Sequence, residues 1–372
     1  MRVLHILDSP QTGGATVAAE AVACCVAGPM DHEQCAVLEG PPGALYKRYL
    51  NRFASDYVLR IGKPTPLQQA FRTVGGYASV RVIAKMRMAL DEHNPDLVHL
   101  HNFKEAGTAA IIACKSRGVP VVWSCYDYWC LSPLDNKTSF SWAAYQPAKG
   151  RRYPLLAKLP LLGRRRRIMS QMNRLDAVIA LSQNSKARLI EGGLTVPPIH
   201  VVPVPVFTLR EQDGDDRYLP DRDPNLVLFV GGLAPHKGKH IFDAAMKIVQ
   251  AQHPEVVGKS MFGAERHQVL REIARAACLV VPEQWPNPGP VVIAEAQLLG
   301  TPVVASAVGG IPEMEPASLC PAADHESFAA AILEIHQRRF TGDHPWVTEK
   351  ARSRHDPATI REKLMKAYAQ CL

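Results

Sequence analysis

The feature that most constrains this chain is a repeated alternation of short, apolar, β-branched runs with stretches of helical character. Apolar runs bounded by turn residues form buried strands. Strands that alternate with helices build parallel sheets, because a parallel connection needs a crossover long enough to hold a helix. In the first half, such runs predict strands at 3–7, 34–38, 97–100, 119–124, 177–181 and 199–202. Helices are expected between them at 15–25, 79–92, 108–116 and 184–191. Ser182 is placed to cap the last of these helices and Gly192-Gly193 to end it.

The alternation breaks near residue 205, where VPVPVF leads into TLREQDGDDRYLPDRDPN, a polar, acidic, proline-bearing stretch that cannot supply a core. A second series begins with a strand at 226–230 followed by Gly231-Gly232. Further strands are expected at 279–282 and 302–306, and helices at 240–252, 268–277 and 291–299. The stretch 357–372 reads as a helix with Leu364, Met365, Tyr368 and Cys371 on one face. With 372 residues, 47% of them hydrophobic, the chain can fill two cores. The expected division is 1–205, 206–355 and a closing helix at 356–372.

Several classes are excluded or disfavoured. No apolar run approaches the ~20 residues needed to span a bilayer. The opening MRVLHILDSP has one basic residue and then an aspartate, so it reads as a buried strand and not a secretory leader. The nine cysteines are odd in number, lack a tight CxxC pair and mostly sit in apolar runs, which fits reduced thiols in the cytoplasm. Much of the +8 net charge is concentrated in Arg151, Arg152, Lys158, Arg164, Arg165, Arg166 and Arg167, with no acid between them. The intervening YPLLAKLPLLG is leucine-rich and offers no aromatic platform for stacking bases, so nucleic acid is not expected. Leucine beside arginine fits an anionic membrane surface, where each nearby cation contributes about 1 kcal/mol. A solvated basic loop is the alternative.

Five segments could carry chemistry. Leu7 to Thr16 is a strand, a glycine pair (Gly13, Gly14) and a helix start, which lets backbone N–H groups approach a phosphate or carboxylate, though a plain tight turn has the same pattern. It is neither a Walker loop nor a GxGxxG fingerprint. In PDLVHLHN, alternation puts His99 and His101 on one face of a strand, with Asn102 just beyond. Two such histidines suit a metal only with a third ligand, and none is close in sequence. His99 reads as structural and His101 as the cleft candidate. WSCYDYW places Tyr126 and Asp127 after a strand, where aromatic faces and a carboxylate suit a sugar, or simply form a structural cluster. GGLAPHKGK sets Gly232, His236 and Lys237 at a helix start, a geometry suited to a diphosphate. Finally, WPNPGPVVIAEA carries Asn287, Gly289, Pro290 and Val291 into a helix whose Glu295 should be buried and need donors, from ribose hydroxyls or backbone.

Together these segments, ending in GTPVVASAVGGIPE, resemble glycosyltransferase family 4 over nearly the whole chain. The resemblance implies the α/β GT-B fold, two Rossmann-like domains facing across a cleft, with the final helix crossing back to the first. It implies a retaining transferase that moves a sugar from a nucleotide-sugar donor to a lipid-linked or glycan acceptor, with neither metal nor cofactor, as a peripheral protein of the inner membrane face. Lys237 matches the family lysine on the diphosphate and Glu295 the glutamate on the ribose. Gly13, Gly14, Gly232, His236, Asn287, Gly289, Pro290 and Val291 complete the donor side; Thr16, His101 and Asn102 fall on the acceptor side, and Tyr126, Asp127 and Lys237 at the catalytic centre. The pattern departs at four places: Tyr126 stands for a histidine, Gly232 for an arginine, Asn287 for a glutamate and Val204 for an asparagine. Lys239, Arg266 and His236 are the candidates to replace the arginine. Only HPEVVGKSMFGAERH separates two helices where the family fits an additional strand, glycine loop and helix, so the donor domain is expected to be shortened. The alternative reading is a non-catalytic GT-B protein that binds a partner glycosyltransferase or a glycan.

Overall fold

The computed structural model describes residues 1–7, 14–27, 34–38, 56–59, 78–101, 103, 106–131, 155–206, 220–338 and 349–372. Gly13, Asn102, Arg151 and Arg152 lie outside these residues, as does the side chain of Lys158. The chain divides into two compact units, one of Met1–Val202 with Arg361–Leu372 and the other of Pro203–Ile360.

The first unit is built on a seven-stranded sheet whose pairs are all parallel. Its strands are β1 (Val3–Leu7), β2 (Gln34–Leu38), β3 (Asp56–Leu59), β4 (Leu97–Leu100), β5 (Val121–Cys125), β6 (Ala177–Ala180) and β7 (Ile199–Val201), in spatial order β3-β2-β1-β4-β5-β6-β7. The chain runs outward from β1 to β3 and then returns to the other side of β1 as β4. The topological switch point therefore lies between β1 and β4, the place where open α/β sheets bind ligands. Strands β4, β5 and β6 are buried along their whole length, which is why they read as near-continuous apolar runs. The helices of this unit are α1 (Gly14–Ala27), α2 (Val80–His93), α3 (Thr108–Ser116), α4 (Leu155–Met172) and α5 (Gln183–Glu191). Ser182 caps α5 by accepting from the Ser185 N–H, Gly192 is its C-cap, and Gly193 follows with φ +100°. Pro160 sits within α4, so the basic, leucine-rich segment is helical from Leu155 onward.

The second unit holds a five-stranded parallel sheet of β8 (Asp223–Val230), β9 (Val257–Met261), β10 (Ala276–Val281), β11 (Val303–Ser306) and β12 (Ser318–Cys320), in the order β12-β11-β10-β8-β9. Its helices are α6 (Lys239–Gln252), α7 (Arg266–Arg275), α8 (Val291–Leu298), α9 (His325–Arg338) and α10 (Glu349–Arg354). Alternation along β8, β10 and β11 sorts side chains onto two faces. Val227, Phe229, Cys278, Val280 and Val304 pack with Phe242, Phe328 and Ile332, while Leu226, Leu228, Leu279, Val303 and Ala305 pack with Ile273, Ile293 and Ile311. Helix α7 gives way to β10 at Ala276, two residues before the expected helix end. Residues 253–265 hold β9 and a short turn leading to α7, and no helix intervenes.

The last helix, α11 (Pro357–Ala369), buries Ile360, Leu364, Ala367 and Tyr368. Its residues from Arg361 onward pack with the first unit, five residues later than the sequence reading placed the change.

Candidate functional site

In the second unit the switch point lies between β8 and β10, and the loops that leave these strands are laced together. Gly238 has φ +76°, and a Cβ there would fall 1.8 Å from the Pro282 carbonyl oxygen. Only glycine permits this approach. The Gln284 N–H donates to the His236 carbonyl at 2.7 Å, closing the contact from the other side. Gly309 plays the same part for the second loop, since its Cβ would lie 2.4 Å from the Pro286 carbonyl carbon.

This lacing brings Lys237 to Glu283. The Lys237 Nζ donates to Glu283 Oε1 at 2.6 Å, and the Asn287 Nδ2 donates to the same oxygen at 3.1 Å. The Glu283 side chain is 4% exposed and that of Lys237 30%. Glu283 Oε2 is buried and has no hydrogen-bond partner among the described residues. A buried carboxylate oxygen without a donor is costly, so this oxygen can take a hydrogen bond from water or from a ligand. Trp285, buried, lies with its ring centroid 6.0 Å from the Lys237 ammonium and 5.9 Å from the His236 ring. Burial, then the neighbouring Lys237, holds the His236 pKa below its ordinary value, so this imidazole is neutral near pH 7.

Helix α8 starts beside this cluster. Asn287 Oδ1 accepts from the Gly289 N–H at 3.1 Å, and Pro290 occupies the cap position without a capping side chain; Val291 is the first helical residue. Glu295 is buried as expected, and its partner in a direct ion pair is Arg266, a half-buried residue whose side chain is 8% exposed. Arg266 Nε has no hydrogen-bond partner among the described residues. Gly232 is exposed, and a Cβ added there would meet nothing within 4 Å. Of the three candidates to replace the arginine, Lys239 pairs with Asp243 at 2.6 Å, Arg266 with Glu295, and His236 is neutral.

In the first unit, His5 on β1 pairs in register with His99 on β4, which puts it beside both histidines seen in the sequence. All three are buried. His5 Nδ1 and His101 Nε2 lie 2.8 Å apart, His101 Nδ1 and the Tyr126 hydroxyl 3.0 Å, His99 Nε2 and Ser124 Oγ 2.8 Å, and His99 Nδ1 and the Tyr368 hydroxyl 2.6 Å. Ser124 also bonds Tyr126. Burial and the neighbouring histidines lower the pKa values of His99 and His101, and burial raises that of Tyr126. Neutral imidazoles each give one proton and accept one. One continuous order satisfies every group: Tyr368 donates to His99, His99 to Ser124, Ser124 to Tyr126, Tyr126 to His101, and His101 to His5. Both nitrogens of His99 and of His101 thus have protein partners, and hydrogen bonds join the trio.

The remaining candidates are dispersed. Asp127 Oδ1 accepts from the Trp129 N–H at 3.2 Å, shaping the turn after β5. Gly14 opens α1 in exposed space, while Thr16 is buried two residues on. The basic run departs from a simple docking face. Arg164 is buried and the Arg165 guanidinium donates to the Gly192 carbonyl at 3.1 Å; only Arg166 and Arg167 are exposed among the described members. The helical period turns the first two toward the protein. Among the described residues no helix is long and apolar enough to cross a membrane.

Two open parallel sheets, each with polar groups gathered beside its switch point, define a protein of the Rossmann-like, nucleotide-handling class. The chain belongs to glycosyltransferase family 4. The family described as Glycosyltransferase Family 4 matches residues 12–208, more than half of the chain, and that described as Glycosyl transferases group 1 matches 224–338. The fold is GT-B. Solved structures with this fold include Anabaena HepE in complex with UDP-glucose, 21% identical over 99% of both chains with a TM-score of 0.66. Sucrose-phosphate synthase from Thermosynechococcus elongatus is 17% identical over 99% of this chain and 98% of its own, with a TM-score of 0.67. The lipopolysaccharide outer core galactosyltransferase WaaB is 15% identical over 100% of both, with a TM-score of 0.62. No curated protein sequence matches the chain.

Proposed function

We propose that this glycosyltransferase moves a hexosyl or hexosaminyl group from a nucleotide-sugar donor, bound by the second unit, to a lipid-linked or glycan acceptor bound by the first. The observation that carries this reading is the Lys237–Glu283–Asn287 cluster at the switch point of the second sheet, with a buried carboxylate oxygen left for a ligand. Lys237 would neutralise the donor diphosphate, helped by the N–H groups at the start of α8 around Gly289, Pro290 and Val291. Glu283 and Asn287 would take the sugar hydroxyls, and Glu295, held by Arg266, the ribose. Anabaena HepE was solved with UDP-glucose, which makes a UDP-sugar the first donor to test.

Transfer would proceed with retention and without a metal. The bond from the anomeric carbon to the leaving phosphate breaks, the bond to the acceptor oxygen forms on the same face, and the acceptor proton passes to the phosphate. Tyr126, fixed by His101, and Asp127 would stand at the catalytic centre, with Thr16, His101 and Asn102 on the acceptor side and Gly13 and Gly14 on the donor side. Arg166 and Arg167, the exposed members of the basic run among the described residues, would face an anionic membrane at the cytoplasmic face. The test is calorimetric titration with UDP, GDP and their sugar conjugates in the absence of metal. Micromolar binding of one sugar nucleotide, lost in Lys237→Ala, is expected. No binding of any nucleotide by folded protein would refute the donor site and leave the non-catalytic, partner-binding reading.

A further inference from the structure

A separate cluster sits at the far end of α6. His253 follows the helix as its C-cap, Glu255 lies two residues on, and His336 is in the last turn of α9. His253 Nδ1 is 3.2 Å from Glu255 Oε1, and His336 Nε2 is 3.5 Å from the same oxygen. The two imidazole centroids are 5.0 Å apart, and one ligand atom from each residue lies within 4.8 Å of the others. Zinc bonds to nitrogen and carboxylate oxygen are about 2.0–2.1 Å, and tetrahedral angles then place neighbouring ligand atoms about 3.3 Å apart. Two of the three separations already straddle that value. His336 is 5% exposed, so its ring is held by packing, while the His253 and Glu255 side chains are 32% and 49% exposed and leave an approach from solvent.

We propose that His253, Glu255 and His336 form a zinc site with water in the fourth position. Two imidazoles and one carboxylate suit Zn²⁺ over Mg²⁺ or Ca²⁺, which prefer all-oxygen shells. The ion would tie the end of α6 to the end of α9, clamping two helices that pack on the same face of the second sheet. Helix α6 has 14 residues, which is about 20 Å of rise, and Lys237 lies before its start. The site is therefore remote from Lys237, and its occupancy should not affect sugar-nucleotide binding.

The experiment is a Zn²⁺ titration of the metal-free full chain at pH 7.5, read by calorimetry and by the melting temperature. We expect one ion per chain at micromolar or tighter affinity, with a rise in melting temperature. His253→Ala, at a half-buried position, and Glu255→Ala, at an exposed one, should each weaken binding at least 10-fold. Millimolar affinity only, or binding that neither variant weakens, overturns the proposal. A parallel UDP titration separates this result from the donor reading, because neither variant should alter it.

Discussion

Replacing Glu283 by glutamine removes one charge and keeps the shape of the side chain. Glutamine can still accept from Lys237 and Asn287 through its amide oxygen, so the two loops stay laced. Lys237 is 30% exposed, and its ammonium regains water when the carboxylate is gone. The loss in stability should therefore be only about 1 kcal/mol, as for partly solvated ion pairs. The effect on donor recognition is larger. A hydrogen bond to a charged acceptor is worth about 1.5–3 kcal/mol, and the buried Glu283 Oε2 is the acceptor left open for a sugar hydroxyl. If that oxygen accepts from the donor sugar as proposed, its neutralisation should lower kcat/KM by about 10- to 150-fold. UDP itself should bind as well as before or more tightly, because Lys237 no longer shares its charge with a carboxylate. The assay pairs calorimetry with UDP and UDP-glucose against steady-state turnover. An unchanged kcat/KM in Glu283→Gln, or a lost affinity for UDP in a folded variant, would refute the role assigned to this carboxylate.

Gly238→Ala drives a Cβ into the Pro282 carbonyl and needs a positive φ, so it should destabilise the second unit by about 2–4 kcal/mol, read as a lower urea midpoint, and weaken nucleotide binding with it. Gly232→Arg should be tolerated, since open space surrounds that position, and should tighten UDP binding about 10-fold by one charge-assisted hydrogen bond; unchanged affinity would show that the arginine does not reach the diphosphate. Burial holds His355 near pKa 4 against an ordinary 6.5, although its Nδ1 bonds the Val204 carbonyl at 2.8 Å. Below pH 6.5 the unfolded chain binds a proton that the folded one refuses, so stability is lost as pH falls from 6.5 toward 4, by about 2 kcal/mol at pH 5. Urea midpoints at pH 7.5 and 5 should show a shallower loss for His355→Gln than for the parent. Tyr368→Phe removes the first donor of the histidine chain and should cost about 1–2 kcal/mol in melts, and the imidazole proton resonances of His99 and His101 should shift together.

The alternating pattern made the two-sheet plan legible because most strands are buried on both faces and carry continuous apolar runs. The strands that escaped notice are those without that signature. Strand β3 reads DYVL, four residues at the edge of the first sheet, β9 reads VGKSM and sits at an edge, half in solvent, and β12 is three residues long. Lys237 and Asn287 were visible as loop residues beside glycines. Glu283 was not, since an acid two residues beyond a strand reads as a solvated loop charge until the contact of Gly238 with Pro282 buries it. His99 and His101 share a face by periodicity alone, whereas His5 joins them through a register between strands more than 90 residues apart in sequence. Arg164 shows the same limit in reverse. In a run of four arginines every member reads as exposed, yet helical phase carries this one inward.

The order of the second sheet has a consequence for colloidal behaviour. Because 253–265 supply one strand and no further helix, β9 closes the sheet with one side unpaired among the described residues. A row of free N–H and C=O groups is a template on which another chain can add a strand. Lys259 stands at the middle of β9, paired to Glu272 at 2.9 Å and 42% exposed at its side chain, where a second strand would have to bury it. That single charge acts as a gatekeeper: with Lys259 replaced by valine, the edge would read VGVSMF, a sticky ribbon.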